Sequence, residues 1–314
     1  MDLMLPAKYS KQLKRLWRNI YASRYLYLML LPGILYFAIF QYGPMAGLQL
    51  AFKKYNARLG IWGSQWIGLQ HFRRIFITPA SITALKNTIE ISLSRLVIEV
   101  PFPILLAVML NEMRGTKLKR VYQTVYTFPH FLSWIVVAAI LKIFLNNDGA
   151  INMLISSLGG DKVNFLAQES LFRPLLYFTA IWKEAGWSAI IYIAAIAGIN
   201  QELYEAATID GASRLQRVWH VTLPGIRTTI AIMFIMAVGN IMNGGFNQIF
   251  NLSNGAVKNV SDIIDTYVYN ITFLAVPDYG FSTAVGLFKA VINFIMLLTA
   301  NTVVRKLTGE GMFA

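Results

Sequence analysis

The chain has 314 residues, 56% of them hydrophobic and only 14% charged, against about 25% charged residues in soluble domains. That deficit, a mean hydropathy of +0.52 and several apolar runs long enough to cross a bilayer mark an all-α, polytopic membrane helix bundle. The lack of cysteine excludes disulfides and thiol chemistry, and His71, His130 and His220 lie too far apart in sequence to suggest a metal site. The net charge of +13 is scattered over loops, which argues against nucleic-acid binding.

Residues 1–24 form a basic arm, with Lys8, Lys11, Lys14, Arg15, Arg18 and Arg24 against the single acid Asp2. The arm is expected to lie in the cytoplasm against lipid headgroups. Its basic region is too long for a cleaved signal peptide, the apolar run Tyr25–Phe40 extends past an h-region, and no small-residue cleavage pattern follows. Span 1 is therefore expected to stay, over about 25–42. In residues 43–86, Trp66, Leu69, Phe72, Ile75 and Phe76 recur at helical spacing and predict an interfacial helix.

Span 2 is expected at 87–110, with Arg95 and Glu99 one helical turn apart as a local pair, and with Pro101 and Pro103 predicting a break. Span 3 is expected at 121–145 with Pro129-His130 inside, and span 4 at 171–199. Span 5 is expected at 223–242, with Pro224 in its first turn, and span 6 at 280–304. With the first arm inside, the segments predicted to face the cytoplasm hold fifteen Lys and Arg, and those predicted outside hold eight. Both termini are then cytoplasmic. The organisation is an arm (1–24), a transmembrane domain (25–304) and a tail (305–314).

Between spans 4 and 5 lies a polar interruption, 205–224. Ala206 and Ala207 favour helix, Gly211 permits a turn, and Leu215, Val218 and Trp219 share one side of a second short piece. A helix–Gly–helix unit parallel to the membrane would present Glu205 and Asp210 to a cytoplasmic partner. An ordinary amphipathic loop is the competing reading.

The spacing resembles a known motif. Glu-Ala-Ala, three residues, Gly, nine residues, Ile, one residue, Leu-Pro is the cytoplasmic signature of binding-protein-dependent ABC importer permeases. Here it reads Glu205-Ala206-Ala207, Gly211, Val221, Leu223-Pro224, with Val in place of Ile. Asp210-Gly211-Ala212 is similar to the form in carbohydrate importers. Leu31-Pro32-Gly33, Tyr42-Gly43-Pro44 and Trp66-Ile67-Gly68-Leu69 resemble sugar permeases that pair with a second, homologous permease, within the polysaccharide-fragment branch that includes alginate-type importers.

The resemblance implies the type I importer permease fold in a bacterial inner membrane. It implies partners as well: a second permease, a pair of ATP-binding subunits carrying ATP and Mg, an extracytoplasmic solute-binding protein and an oligosaccharide. The segment 205–224 would be a coupling helix seated in a cleft on the ATPase. Glu205 would meet a basic group there, Gly211 would make the bend, and Leu215, Val218 and Trp219 would fill the cleft. The chain has no phosphate-binding glycine loop of its own.

Polar residues in spans normally face the bundle interior or water. Span 4 carries Trp182, Lys183, Glu184 and Trp187; span 5 and its outer end carry Met236, Asn240, Asn243 and Asn247 as one stripe; span 6 carries Ser282, Gly286, Lys289 and Asn293. Aromatic faces and amides suit sugars, and Lys183 and Lys289 would suit an acidic one. Contacts between helices are the alternative. Lys258, Asp262, Asp265 and Asp278 are candidates for docking the binding protein. An integral-membrane glycosyltransferase and a stand-alone secondary carrier are the rival functions. The first wants paired acids or a histidine cluster at one membrane face, which the sequence does not supply.

Overall fold

The computed structural model describes residues 18–19, 21–113 and 115–313. Most of the basic arm, with Arg114, lies outside these. Among the described residues, five helical runs are long and apolar enough to span: Arg24–Phe52, Pro79–Glu112, Trp134–Ser157, Glu169–Ala197 and Tyr279–Thr308. A sixth is the pair Arg214–Gly225 and Arg227–Gly239, bent by 63°.

The first run begins as α1 (Arg24–Tyr36) and continues through wide and then tight turns to Phe52. A short outer unit follows. Strands β1 (Lys53–Lys54) and β2 (Gln65–Trp66) pair antiparallel, Lys53 opposite Trp66, before helix α2 (Gln70–Ile75). Lys53 is buried because its ammonium donates to Gln49 Oε1 at 2.8 Å and to the Ile61 and Trp62 carbonyls. The predicted interfacial helix is thus shorter than its apolar spacing. Trp66 is in β2, stacked on Phe52, while Phe72 and Ile75 pack inward, toward Phe281 and Val285.

Span 2 starts earlier than expected, as α3 (Pro79–Glu99) and α4 (Pro101–Glu112), with Pro101 and Pro103 in the first turn of α4. The region of span 3 is divided. Amphipathic α5 (Thr116–Thr127) ends in a tight turn, Phe128–Phe131, and α6 (Trp134–Leu145) starts afresh, capped by the Ser133 hydroxyl. Helix α7 (Ala150–Ser157) follows within the same apolar run, Trp134–Ser157. Pro129 explains the division, since its ring cannot sit inside an α-helix without loss of a hydrogen bond.

Helix α8 (Glu169–Ala197) is the axis of the bundle. Its buried residues include Thr179, Ala180, Ala185, Gly186 and Ala189. Small side chains matter here because lipid gives helices no hydrophobic reason to associate, so close backbone approach and polar links must hold them. One end of α8 packs Phe172 and Leu176 against Ile91 and Ile249; the other packs Tyr192 and Ile196 against Ala107 and Ile226. Arg173 ties α8 to α3 through Glu90 at 2.7 Å and Asn87 at 2.8 Å.

After α9 (Gln201–Ile209) and α10 (Arg214–Gly225), α11 (Arg227–Gly239) ends three residues before the predicted end of span 5. The chain turns through 240–245 and resumes as α12 (Phe246–Leu252), then α13 (Ile264–Tyr269). Span 6 is α14 (Tyr279–Thr308), capped by Asp278 accepting from Phe281 N at 3.0 Å.

Candidate functional site

The polar interruption is two helices joined at a glycine, as its sequence predicts. Asn200 caps α9 by accepting from Glu202 N. Gly211 takes φ +76°, a conformation that costs a residue with a Cβ but not glycine. Ser213 and Gln216 then form a reciprocal capping box that starts α10. Arg217 donates to Thr208 Oγ1 at 2.9 Å, and the Tyr204 and Thr222 hydroxyls lie 2.9 Å apart, so α9 and α10 are tied as one unit.

Glu205, Ala206, Asp210, Gly211, Leu215, Trp219 and Pro224 are exposed, and Ala207 is half-buried. Val218 differs from the expectation of one common face: it is half-buried while Leu215 and Trp219 point outward. The helix widens over Val218–Thr222. Ile209 is 85% exposed and adds a third apolar projection that the periodicity did not single out. Pro224 precedes the 63° bend at Ile226 and so does not begin the span.

Between α3, α4, α8 and α11 lies a cavity of about 310 Å³, lined by Arg95, Glu99, Glu184, Ser188, Tyr192, Asn240 and Asn243 among others. Arg95 and Glu99 form the predicted local pair at 3.5 Å. They also face this space, which the sequence alone did not reveal. Arg95 donates to Gln248 Oε1, and the Gln248 amide donates to Leu176 O and Thr179 Oγ1, both at 2.8 Å.

On the opposite wall, Glu184 accepts from Lys183 at 2.9 Å and lies 2.7 Å from His130 Nδ1. Lys183 also donates to the His130 carbonyl at 2.9 Å. The His130 ring stacks on Trp187, with centroids 4.5 Å apart. The turn at Pro129 is therefore pinned to α8 by its own histidine.

A second cavity, about 240 Å³, is lined by Asn243, Asp265, Ser282, Gly286, Lys289 and Asn293. The predicted stripe on span 6 does share one face. Lys289 is paired with Asp265, and Asn293 Oδ1 accepts from Met242 N at 2.9 Å, fixing the break after α11. Asn243 borders both spaces.

The stripe predicted on span 5 is not continuous, because α11 ends at Gly239. Asn240 and Asn243 reach the cavities, whereas Asn247 is exposed and lines neither. Trp182 is likewise exposed and Lys183 is buried behind the wall. Of the loop residues, Asp265 pairs inward, and Asp278 pairs with Arg74 at 2.5 Å while capping α14.

A polytopic bundle with a central polar cavity and a protruding two-helix unit defines a membrane transport subunit. Residues 99–309 match the family described as binding-protein-dependent transport system inner membrane component, and the chain belongs to that family. It is 45% identical over 301 residues to the polygalacturonan/rhamnogalacturonan transport system permease protein YteP of Bacillus subtilis (strain 168), covering 96% of this chain and 94% of that one. Protein LplB of the same organism is 44% identical over 292 residues, covering 93% and 92%. The crystal structure of a bacterial ABC transporter that imports the acidic polysaccharide alginate superposes with TM-score 0.87 at 40% identity, covering 94% of this chain and 99% of that chain. A second structure, the alginate transporter in complex with its alginate pentasaccharide-bound periplasmic protein, gives 0.88 over 95% and 100%. The chain is a permease subunit of an ABC importer and not an enzyme.

Proposed function

We propose that this permease carries a uronate-containing oligosaccharide into the cell, delivered by an extracytoplasmic binding protein and driven by an ATPase pair docked on 205–224. A second, homologous permease completes the pathway. Both termini lie in the cytoplasm, in keeping with the lysine and arginine bias. The substrate class is supported by the names of the similar proteins, which concern polygalacturonan, rhamnogalacturonan and alginate.

The observation that carries the drive mechanism is the path from docking unit to cavity. Leu215 and Trp219 are exposed apolar side chains on a polar unit, suited to a cleft on a cytoplasmic partner. The ties Arg217–Thr208 and Tyr204–Thr222 make that unit rigid. It continues through α10 and the 63° bend into α11, whose end places Asn240 in the cavity wall. Closure of an ATPase dimer would push α9 and α10 as one body and displace α11 against α8. That alternates access to the cavity from the two sides.

The test is co-expression with the other subunits, purification and reconstitution. Trp219→Ala is expected to abolish sugar-stimulated ATP hydrolysis and weaken co-purification of the ATPase, with insertion unchanged. A chain that transports alone, with no ATPase bound, would sink the reading.

A further inference from the structure

Three cation–carboxylate pairs border the two cavities. Arg95 faces Glu99, Lys183 faces Glu184, and Lys289 faces Asp265. Each cation is matched by one acid. In the larger cavity the carboxylates of Glu99 and Glu184 line the space together with a single guanidinium, that of Arg95. Lys183 is 5% exposed, and its ammonium is taken up by Glu184, the His130 carbonyl and the face of Trp134.

A sugar carboxylate entering here would meet no unpaired cation among the described residues lining either cavity. To gain one it would have to open an internal pair, and stripping one partner from a buried pair is costly because the other charge is left uncompensated. Hydroxyls fit better. Each oxygen of Glu184 already accepts one hydrogen bond and retains a further lone pair. The Asn240 and Asn243 amides lie on the same wall system.

We propose that this chain's share of the pathway reads sugar hydroxyls, through Glu99, Glu184, Asn240 and Asn243, and that the carboxylates of an acidic oligosaccharide are met on the second permease. The proposal rests on the oligosaccharide reading above. It makes Lys289 a pairing residue for Asp265 rather than a substrate cation, and it makes Arg95 a positioning residue that orients Glu99.

The experiment uses the complete importer with its binding protein in proteoliposomes. It compares import of labelled oligogalacturonate with that of its fully methyl-esterified, uncharged form, each at a concentration that saturates the binding protein. The neutral double variant Asp265→Asn, Lys289→Gln is expected to keep the acidic-to-neutral ratio within about twofold of wild type, and so is Asp265→Asn alone, because the substrate carboxylates are met elsewhere. A severalfold rise of that ratio in the single variant would place a substrate carboxylate beside Lys289 and overturn the proposal. Selective loss of acidic import in the double variant would overturn it too. Glu184→Asp withdraws the carboxylate by one methylene and retains the charge. With the other subunits still co-purifying, it is expected to raise the apparent KM for both sugars alike; a KM equal to wild type overturns the hydroxyl contact. A wild-type importer that carries neither sugar counts instead against the oligosaccharide reading itself.

Discussion

Gly245 lies directly against the guanidinium of Arg95: a Cβ on Gly245 would stand 2.3 Å from Nη1. The backbone there has φ +87°, a region L side chains rarely adopt. The glycine therefore answers two demands at once. It starts α12 after the break in span 5, and it leaves room for the arginine that links α3 to Gln248.

Gly245→Ala is expected to displace Arg95 from Gln248 and to strain the backbone, for a combined cost of about 2–5 kcal/mol. Thermal unfolding of the purified complex in detergent should show the loss. Restoring space with Arg95→Lys in the same chain should recover part of it, because the shorter reach of the charged head removes the clash. No recovery would mean that the backbone conformation alone sets the cost.

Gly186 offers a cleaner steric test. Added at that position, a Cβ would lie 2.0 Å from the carbonyl oxygen of Tyr126, so the obstacle is backbone and cannot swing aside. Gly186→Ala is expected to part α8 from the turn that carries His130 and to break the Glu184–His130 contact. Overpacking of this kind costs about 1–3 kcal/mol, occasionally more. Lower yield of folded protein and loss of the coupled transport cycle are the expected readouts. A variant with wild-type stability would show that the two elements can slide apart freely.

Gly211 behaves in the opposite way, because nothing lies within 4 Å of an added Cβ there. Gly211→Ala should cost only the left-handed backbone penalty, about 1–2 kcal/mol, and confined to the exposed unit. Glu205→Ala, at an exposed position, should leave stability unchanged. Both are expected to reduce sugar-stimulated ATPase activity of the assembled complex severalfold while insertion persists. Stimulation at the wild-type level in both would remove 205–224 from the drive mechanism.

These tests fall on features of unequal visibility in the sequence. The unit 205–224 was legible because what starts and bends its two helices is local: a cap at Asn200, a glycine at 211, and a Ser213–Gln216 box three residues apart. The stripe on span 6 was legible because α14 is unbroken through it. Spans 3 and 5 were not, since apolar content continues across Pro129 and across Gly239 whether or not the helix does. The membrane spans themselves are exposed on much of their surface, and α1 buries none of its residues, so hydropathy reports the solvent rather than the packing. The Arg95–Gln248 link joins positions 153 residues apart, and no local periodicity can signal that. Asp265 looked like a loop acid and is instead the counter-charge of Lys289.

Asp262, in the segment before α13, gives a prediction in pH. Burial pushes its carboxyl above the usual aspartate range, outweighing the hydrogen bond from Thr266 at 2.5 Å and the attraction of Lys258. A carboxyl raised in the folded state favours folding while it is protonated in both states. That contribution is lost as pH rises through the folded value. Asp262→Asn keeps an oxygen for Thr266 and removes the buried charge. The variant is therefore expected to unfold at higher temperature than wild type at neutral pH. The gap should close as pH falls below the ordinary aspartate value of about 3.9. Asn87 donates to the backbone carbonyl of residue 262, at 3.0 Å, so the link to α3 persists in the variant. A Tm difference that stays constant with pH would assign the change to packing rather than to the proton.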